Sequence, residues 1–400
     1  LIKAVEDQIQ SFGQTPAQLL HTPHPHRNSA LHLNPLMFSP LREEVCMVHK
    51  FYSNSPVVFL AAYTAPSTIP QPGVVSVTAN RTLVLSRWNC AAAGNSTTSL
   101  HILGDDFDQS LITCSNQFTC PGDNRALIAC GYDDWSFRVF AVDTGRLIQA
   151  VFGHYGIVTC LAHSGSQSAN YCYLASGSGD CTVKLWIYNT RRMLVLGNHG
   201  HEAEVTAVSI SSELGLVLSG SKGGTCLLHN TRGTLLRQLS TVNPTDNLHP
   251  VDVSVNGEQD LRPVTSMFGP VHFVLYHREG YLVTQQGPTQ LTLSTLNGKI
   301  IHSSDLRRLA ATSTYRITAV LFSACGRYLL IAGSDGVVWV LRCHNLAPVH
   351  DFPRCDAPVR SLALSSDQHY VLVGLETGSL VVFYIDFGHW HHEFQERYAA

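Results

Sequence analysis

A short turn recurs along this chain, and each copy runs into a stretch of alternating apolar residues. The equivalent turn positions hold Asp134, Asp180, Gly223, Asp335 and Thr377, as in "SGSGDCTVKLW" and "AGSDGVVWVL". The gaps between them are 46, 43, 112 and 42 residues, so the long gap has room for one more unit and an insertion. Apolar residues at every second position indicate half-buried β-strands, and a period of about 40 residues predicts repeated structural units.

Seven units fit between Val57 and Phe394. The first contains "VVSVTANRTLVLSRW", and the degenerate unit of the long gap is "GYLVTQQGPTQLTLSTLNG". Most units also carry an upstream strand, with the sequences "VTCLAHS", "VTAVSIS", "VTSMFG", "ITAVLFS" and "VRSLALS". Several short strands per repeat are typical of a propeller blade, so we expect an all-β, seven-bladed β-propeller. The ring could be closed by "VCMVHKF" near the start or by the tail "HHEFQER".

The start of the chain has a different pattern. Ile2, Val5, Ile9 and Phe12 recur at helical spacing, and the prolines of "HTPHPHR" then break any helix. We therefore expect a short α-helical remnant with its exit linker at residues 1–30 and the propeller at residues 45–398.

One unit has a more specific signature. Gly153 and His154 precede "SGSGD…W", with 31 residues between His154 and Trp186. This unit resembles a WD repeat, and the fold expected above is therefore a WD-repeat β-propeller. The resemblance implies a buried hydrogen-bonded chain of His154, Ser176, Asp180 and Trp186, in which the indole N–H finds a partner.

The following unit keeps only part of that signature. It opens with Gly200 and His201, but Gly223 and His229 replace the aspartate and the tryptophan. We expect this blade to lack the full network.

Longer segments carry a second resemblance. These include "QIQSFGQTPAQLLHTPHPHR", "KFYSNSPV", "SFRVFAVDTGRLIQAVFGH", "ELGLVLSGSKGG", "CDAPVRSLALSSDQ" and "DFGHWHHEFQERY". They resemble the C-terminal region of BEACH-domain proteins of the neurobeachin class, over most of the chain and least at 90–108 and 240–262. The resemblance implies that residues 1–30 end a BEACH domain. It also implies a cytoplasmic protein, peripheral on Golgi or endosomal membranes, that works in vesicle and membrane-protein trafficking.

The residues favour no catalytic, metal or cofactor site. There is no G-x-S-x-G or H-E-x-x-H, and "GLVLSGSK" departs from a phosphate-binding loop. The histidines of "HTPHPH" and "HWHH" lack the spacing of a zinc site. The 12 cysteines form no C-x-x-C pair and read as small core residues in a reducing compartment. With a net charge of −3, no basic footprint for nucleic acid stands out.

A non-catalytic protein-interaction scaffold is therefore the leading hypothesis. Its expected partners are other proteins, such as trafficking adaptors or cargo, and its own BEACH domain. The turns before each upstream strand, together with the turns that hold the aspartate, should form one rim. The candidate partner-binding residues there are Tyr155, Glu202, Glu204, Arg316 and Arg360. The sequence marks no arginine–aromatic hot spot. The alternative is that the propeller reads a phosphoinositide or other lipid headgroup directly, through Arg191–Arg192 or Arg307–Arg308.

Overall fold

The computed structural model describes most of the repeat region. The described residues are 45–50, 55–64, 72–88, 96–104, 109–120, 125–164, 172–188, 193–196, 200–211, 214–239, 271–276, 281–308, 315–365, 368–385 and 387. The helical remnant expected at residues 1–30 and the histidines of "HTPHPH" and "HWHH" lie outside these ranges.

The described strands form seven antiparallel sheets of four strands each, which confirms the seven-bladed propeller. Strand β1 (Val45–Lys50) comes first in the chain. Blade 1 contains β2 (Val57–Thr64), β3 (Pro72–Thr78), β4 (Thr82–Trp88) and β5 (Ser96–Ile102). Blade 2 contains β6 (Ile112–Thr119), β7 (Ala126–Tyr132), β8 (Ser136–Ala141) and β9 (Leu147–Phe152). Blade 3 contains β10 (Val158–Ser164), β11 (Tyr173–Ser178), β12 (Val183–Ile187) and β13 (Met193–Val195).

The remaining blades repeat this order. Blade 4 contains β14 (Val205–Ser211), β15 (Leu216–Ser221), β16 (Cys226–Asn230) and β17 (Leu235–Leu239). Blade 5 contains β18 (Val271–Tyr276), β19 (Tyr281–Gln286), β20 (Gln290–Thr295) and β21 (Ile300–Asp305), followed by a 3-10 turn at Leu306–Arg308. Blade 6 contains β22 (Ile317–Phe322), β23 (Tyr328–Gly333), β24 (Val338–Arg342) and β25 (Pro348–Asp351). Blade 7 contains β26 (Val359–Leu364), β27 (Tyr370–Leu375) and β28 (Ser379–Tyr384).

Strand β1 completes blade 7 and so closes the ring. It pairs antiparallel with β28, from Val45 opposite Phe383 to Lys50 opposite Ser379. The hydroxyl of Ser361 in blade 7 also donates to the carbonyl of Val57 in blade 1 over 2.9 Å. Of the two closures that the sequence left open, the structure shows the one made by "VCMVHKF".

The core lies between neighbouring blades rather than inside any one of them. Phe137 and Val139 of blade 2 pack with Leu161 and Leu174 of blade 3, and each other seam has a similar apolar cluster. A single sheet cannot bury either of its faces alone, so burial of apolar area couples each blade to the next.

The first strand of every blade carries a β-bulge just after its first residue, for example between Val158 and Cys160. At the bulge, the Thr159 hydroxyl donates to the Val205 carbonyl of the next blade. Thr113 makes the equivalent bond to the carbonyl of Val158. The bulge thus directs a side chain across the seam, and its hydrogen bond fixes the angle between consecutive blades.

Two sequence expectations need correction. The first strand of blade 5 is "VHFVLY", Val271–Tyr276, and the predicted "VTSMFG" lies outside the described residues. The cysteines are not uniformly core residues. Cys325 is exposed and Cys181 is half-buried on a turn, although six others are buried and all ten described ones are free.

Candidate functional site

Two sets of turns meet at one end of the propeller and form the expected rim. The backbone N–H of Gly179 donates to the carbonyl of Ile157, which joins the aspartate turn of blade 3 to the turn before its first strand. Equivalent bonds link Lys222 to Glu204 and Ser334 to Arg316, each over 2.8 Å. Because both turns are tied to each other, the rim is a surface with a fixed shape.

The four residues of the WD-like signature form one continuous chain of hydrogen bonds in blade 3. His154 Nδ1 lies 2.9 Å from Asp180 Oδ2, and His154 Nε2 lies 2.7 Å from Ser176 Oγ. Trp186 Nε1 donates to the same Ser176 oxygen over 2.8 Å. The carboxylate can only accept, so Nδ1 carries the proton, and Nε2 accepts from the serine hydroxyl.

Burial sets the protonation states in this chain. His154 and Ser176 are buried, and desolvation lowers the pKa of His154 despite the nearby carboxylate. For Asp180, burial alone would raise the pKa. Hydrogen bonds from Thr182, from the backbone N–H of Tyr155 and from His154 outweigh it and hold the pKa well below its usual range. The chain therefore holds a neutral histidine between an ionised carboxylate and a fully buried serine hydroxyl, whose oxygen also accepts from Trp186.

Trp186 is less enclosed than the resemblance implied. Its ring packs edge-on against Phe137 at 5.2 Å between centroids, but the residue is only half-buried. The outer strand β13, which pairs with β12 opposite Trp186, is only three residues long and all three are exposed.

Blade 4 keeps only half of the network, as its sequence predicts. His201 Nε2 lies 2.7 Å from Ser219 Oγ, while Nδ1 lies 2.7 Å from Thr225 Oγ1 in place of an aspartate. Desolvation lowers the pKa of His201 to about 4. His229, in the tryptophan position, is 1% exposed, and neither ring nitrogen has a hydrogen-bond partner within the described part of the chain.

The five candidate partner-binding residues lie along the rim on four different blades. Tyr155 is 85% exposed, Glu202 and Arg316 are exposed, and Glu204 is half-buried with its carboxylate 3.5 Å from Lys222 Nζ. Arg360 does not lie in a turn as expected, because it is the second residue of β26, where the bulge displaces it outward. The structure therefore spreads these five residues around the ring and does not gather them at one point.

The structure adds two exposed aromatic residues, Trp135 and Phe152, to the candidate Tyr155 that the sequence interpretation named. Among the described residues, the large exposed aromatic side chains are Trp135, Phe152 and Tyr155, with 52%, 71% and 85% of their surface accessible. All three lie at the rim end of blade 2 or in the turn that leaves it. One signal was available: Trp135 occupies a turn position that holds glycine in three other blades.

Within the described residues, no group of three or more His, Cys, Asp or Glu side chains could hold a metal ion. No helix among them is long and apolar enough to span a membrane.

Comparisons with known proteins agree with this architecture. The neurobeachin β-propeller domain family matches residues 187–393, and the WD domain, G-β repeat, matches residues 145–186. A chain from the crystal structure of the mitotic checkpoint complex superimposes with a TM-score of 0.62 at 14% identity. The match covers 87% of this chain and 94% of that one, and at this identity it shows the fold alone.

Relatives match over almost the whole chain. A putative neurobeachin homolog of Caenorhabditis elegans is 31% identical over 446 aligned residues, which cover 99% of this chain and 16% of the relative. BEACH domain-containing protein B of Arabidopsis thaliana is 27% identical over 430 residues, covering 96% of this chain and 15% of the relative. The chain thus spans about a sixth of the length of these relatives. Since the neurobeachin propeller match covers more than half of its residues, the chain belongs to the neurobeachin β-propeller family.

Proposed function

We propose that this chain is a non-catalytic protein-interaction scaffold, acting in vesicle and membrane-protein trafficking as part of a BEACH-domain protein. One observation carries the proposal: the rim is tied together by backbone hydrogen bonds and presents exposed charged and aromatic side chains from several blades. Rigid turns that display such side chains can bind a partner without the loss of conformational entropy that ordering a flexible surface would require. His154 and His201 each bond to a buried serine of their own blade, which supports a structural role for both histidines.

The family membership supports the trafficking context but leaves its partners open. We propose that residues 1–30 belong to the end of a BEACH domain and that residues 45–398 form the propeller. The partners would be trafficking adaptors or cargo and the chain's own BEACH domain. The location would be cytoplasmic and peripheral on Golgi or endosomal membranes.

The test is an affinity capture from cell lysate with the full chain and two matched variants. The rim variant reverses four charges, Glu202→Lys, Glu204→Lys, Arg316→Glu and Arg360→Glu, with no change in net charge. The control reverses Asp143→Lys and Arg232→Glu on the opposite rim, where both residues are exposed and net charge is again unchanged. We expect partners that are lost from the rim variant but kept by the control, with equal melting temperatures.

Partners kept equally by all three proteins would contradict a rim site. Salt-sensitive binding of the full chain to phosphoinositide-containing liposomes, with no protein partner captured, would favour direct lipid recognition instead.

A further inference from the structure

Three exposed aromatic side chains define an aromatic corner of the rim: Trp135, Phe152 and Tyr155. Trp135 directly precedes Ser136, and Ser136 pairs with Phe152 across strands β8 and β9. Tyr155 follows Phe152 by three residues, in the turn that leads into blade 3. Aromatic side chains are the residues most often responsible for binding energy at protein interfaces, and here none is used to build the core.

The backbone of Trp135 supports a binding role. Its φ is 71°, in the left-handed region that glycine favours over bulky side chains. The equivalent third residue of the turn is Gly224 in blade 4, Gly336 in blade 6 and Gly378 in blade 7, all with positive φ. Trp135 incurs this backbone cost while remaining 52% exposed, so burial does not offset it. Arg81 in blade 1 and Cys181 in blade 3 also have a positive φ at this position, so the turn itself imposes the left-handed backbone. This backbone fixes where the exposed indole leaves the surface, which presents it in an ordered position to a partner.

Contacts with blade 3 hold Tyr155 in place. Its backbone N–H donates to Asp180 Oδ2 over 2.9 Å, which ties the turn to the hydrogen-bonded chain of blade 3. Lys184, only 4% exposed, lies beneath the ring with Nζ 5.4 Å from the centroid and donates to the carbonyl of Gly153. The ring itself is 85% exposed, so a partner would meet an ordered aromatic surface.

The exposed charge around the corner is negative once existing ion pairs are accounted for, because the Lys184 ammonium is buried beneath Tyr155. Arg138 pairs with Asp134, and Lys222, one blade further along the rim, pairs with Glu204. Asp133, two residues before Trp135, and Glu202 form no ion pair with any described residue. An electronegative rim beside exposed aromatic faces attracts cationic side chains through both carboxylates and ring quadrupoles.

We propose that the aromatic corner binds an extended segment of a partner protein that places a lysine or arginine beside an apolar side chain. The cation would lie against the face of Trp135 near the Asp133 carboxylate, or against the face of Tyr155 opposite Lys184, and the apolar side chain would pack on Phe152. This inference rests on the proposed scaffold function and names the partner chemistry for one part of the rim.

The test is selection of a phage-displayed random 12-residue peptide library on the full chain. The selected peptides are then measured against Trp135→Gly and Tyr155→Ala. We expect sequences enriched in lysine or arginine next to an apolar residue, bound at least about tenfold more weakly by both variants. The glycine suits the left-handed turn, so Trp135→Gly should melt no lower than the unmodified chain. The matched control, Cys181→Gly, changes the same turn position in blade 3 and should leave peptide affinity unchanged.

Three results would overturn the inference: no enriched peptides, enrichment of acidic ones, or equal affinity for the unmodified chain and Trp135→Gly. If basic peptides bind Trp135→Gly normally but lose affinity for the charge-reversed rim variant, the aromatic corner is not the peptide site, while the proposed scaffold function stands. If lysate partners are insensitive to that rim variant, the scaffold site itself is wrong.

Discussion

At the residue scale, Ser176 joins the two parts of blade 3 that the WD-like signature brings together. Its single hydroxyl oxygen donates to His154 and accepts from Trp186, so one buried atom couples the rim turn to the third strand. His154, 22 positions before Ser176, and Trp186, 10 positions after it, are thereby fixed relative to each other. Because the network is satisfied, its cost of burial is low, and each member holds the next in place.

Trp186→Ala should lower the free energy of unfolding by about 2–3 kcal/mol, below the usual range for a fully buried tryptophan, because the ring is half-buried. Trp186→Phe should cost about 1 kcal/mol, since it keeps the contact with Phe137 and loses only the indole hydrogen bond. Urea unfolding of the three proteins measures both. An alanine variant with an unchanged midpoint would show that the chain of hydrogen bonds contributes nothing to stability.

At the scale of elements, the distance between neighbouring blades depends on the size of one residue, the second from the end of each blade's second strand. A Cβ added to Gly177 would lie 2.6 Å from Val205 Cγ1 of the next blade and 2.6 Å from Cys160 Sγ. A Cβ on Gly131 would likewise meet Cys114 Sγ and Val158 Cγ1, and one on Gly374 would meet Ser361 Oγ and Val57 Cγ1. In blade 5 this position is Gln285, which is fully buried. Its side-chain nitrogen donates to the carbonyl of Gly287, while its oxygen has no hydrogen-bond partner among the described residues. Blade 5 thus departs from the repeat in packing as it does in sequence.

Gly177→Ala should therefore destabilise the fold by about 1–3 kcal/mol through overpacking of the seam between blades 3 and 4. Gly179→Ala is the matched control, because a Cβ there would meet only backbone atoms at 3.8 Å, which is ordinary contact. Thermal unfolding followed by circular dichroism compares the two. Equal melting temperatures for both variants would mean that the seam can relax and that the close approach is not required.

At the scale of the whole molecule, the first described strand and the last blade hold the ring together. Blade 7 takes three strands from the end of the repeat region and its fourth from β1. A ring closed in this way has no unpaired seam, so all seven blades share the burial of their faces.

A chain lacking residues 1–50 should melt about 5–10 °C below one lacking residues 1–44, because loss of β1 leaves the edge of β28 unpaired. The comparison of the two deletions isolates the six residues of the strand. If both melt at the same temperature, β1 does not hold the ring and another segment must pair with β28.

The sequence by itself determined the blade number and the strand-turn-strand units, whereas the members of the network in blade 3 came from the resemblance to a WD repeat. Alternating apolar residues and turn residues act over a few positions, so their period is readable along the chain. It could not choose between "VCMVHKF" and the tail as the closing strand, since each is a short segment at one end of the repeats and only pairing with β28 decides. It named Tyr155 but missed the other two residues of the aromatic corner. Trp135 looks like an ordinary turn residue and Phe152 like an ordinary strand residue, and whether they remain exposed depends on how the next blade covers the seam.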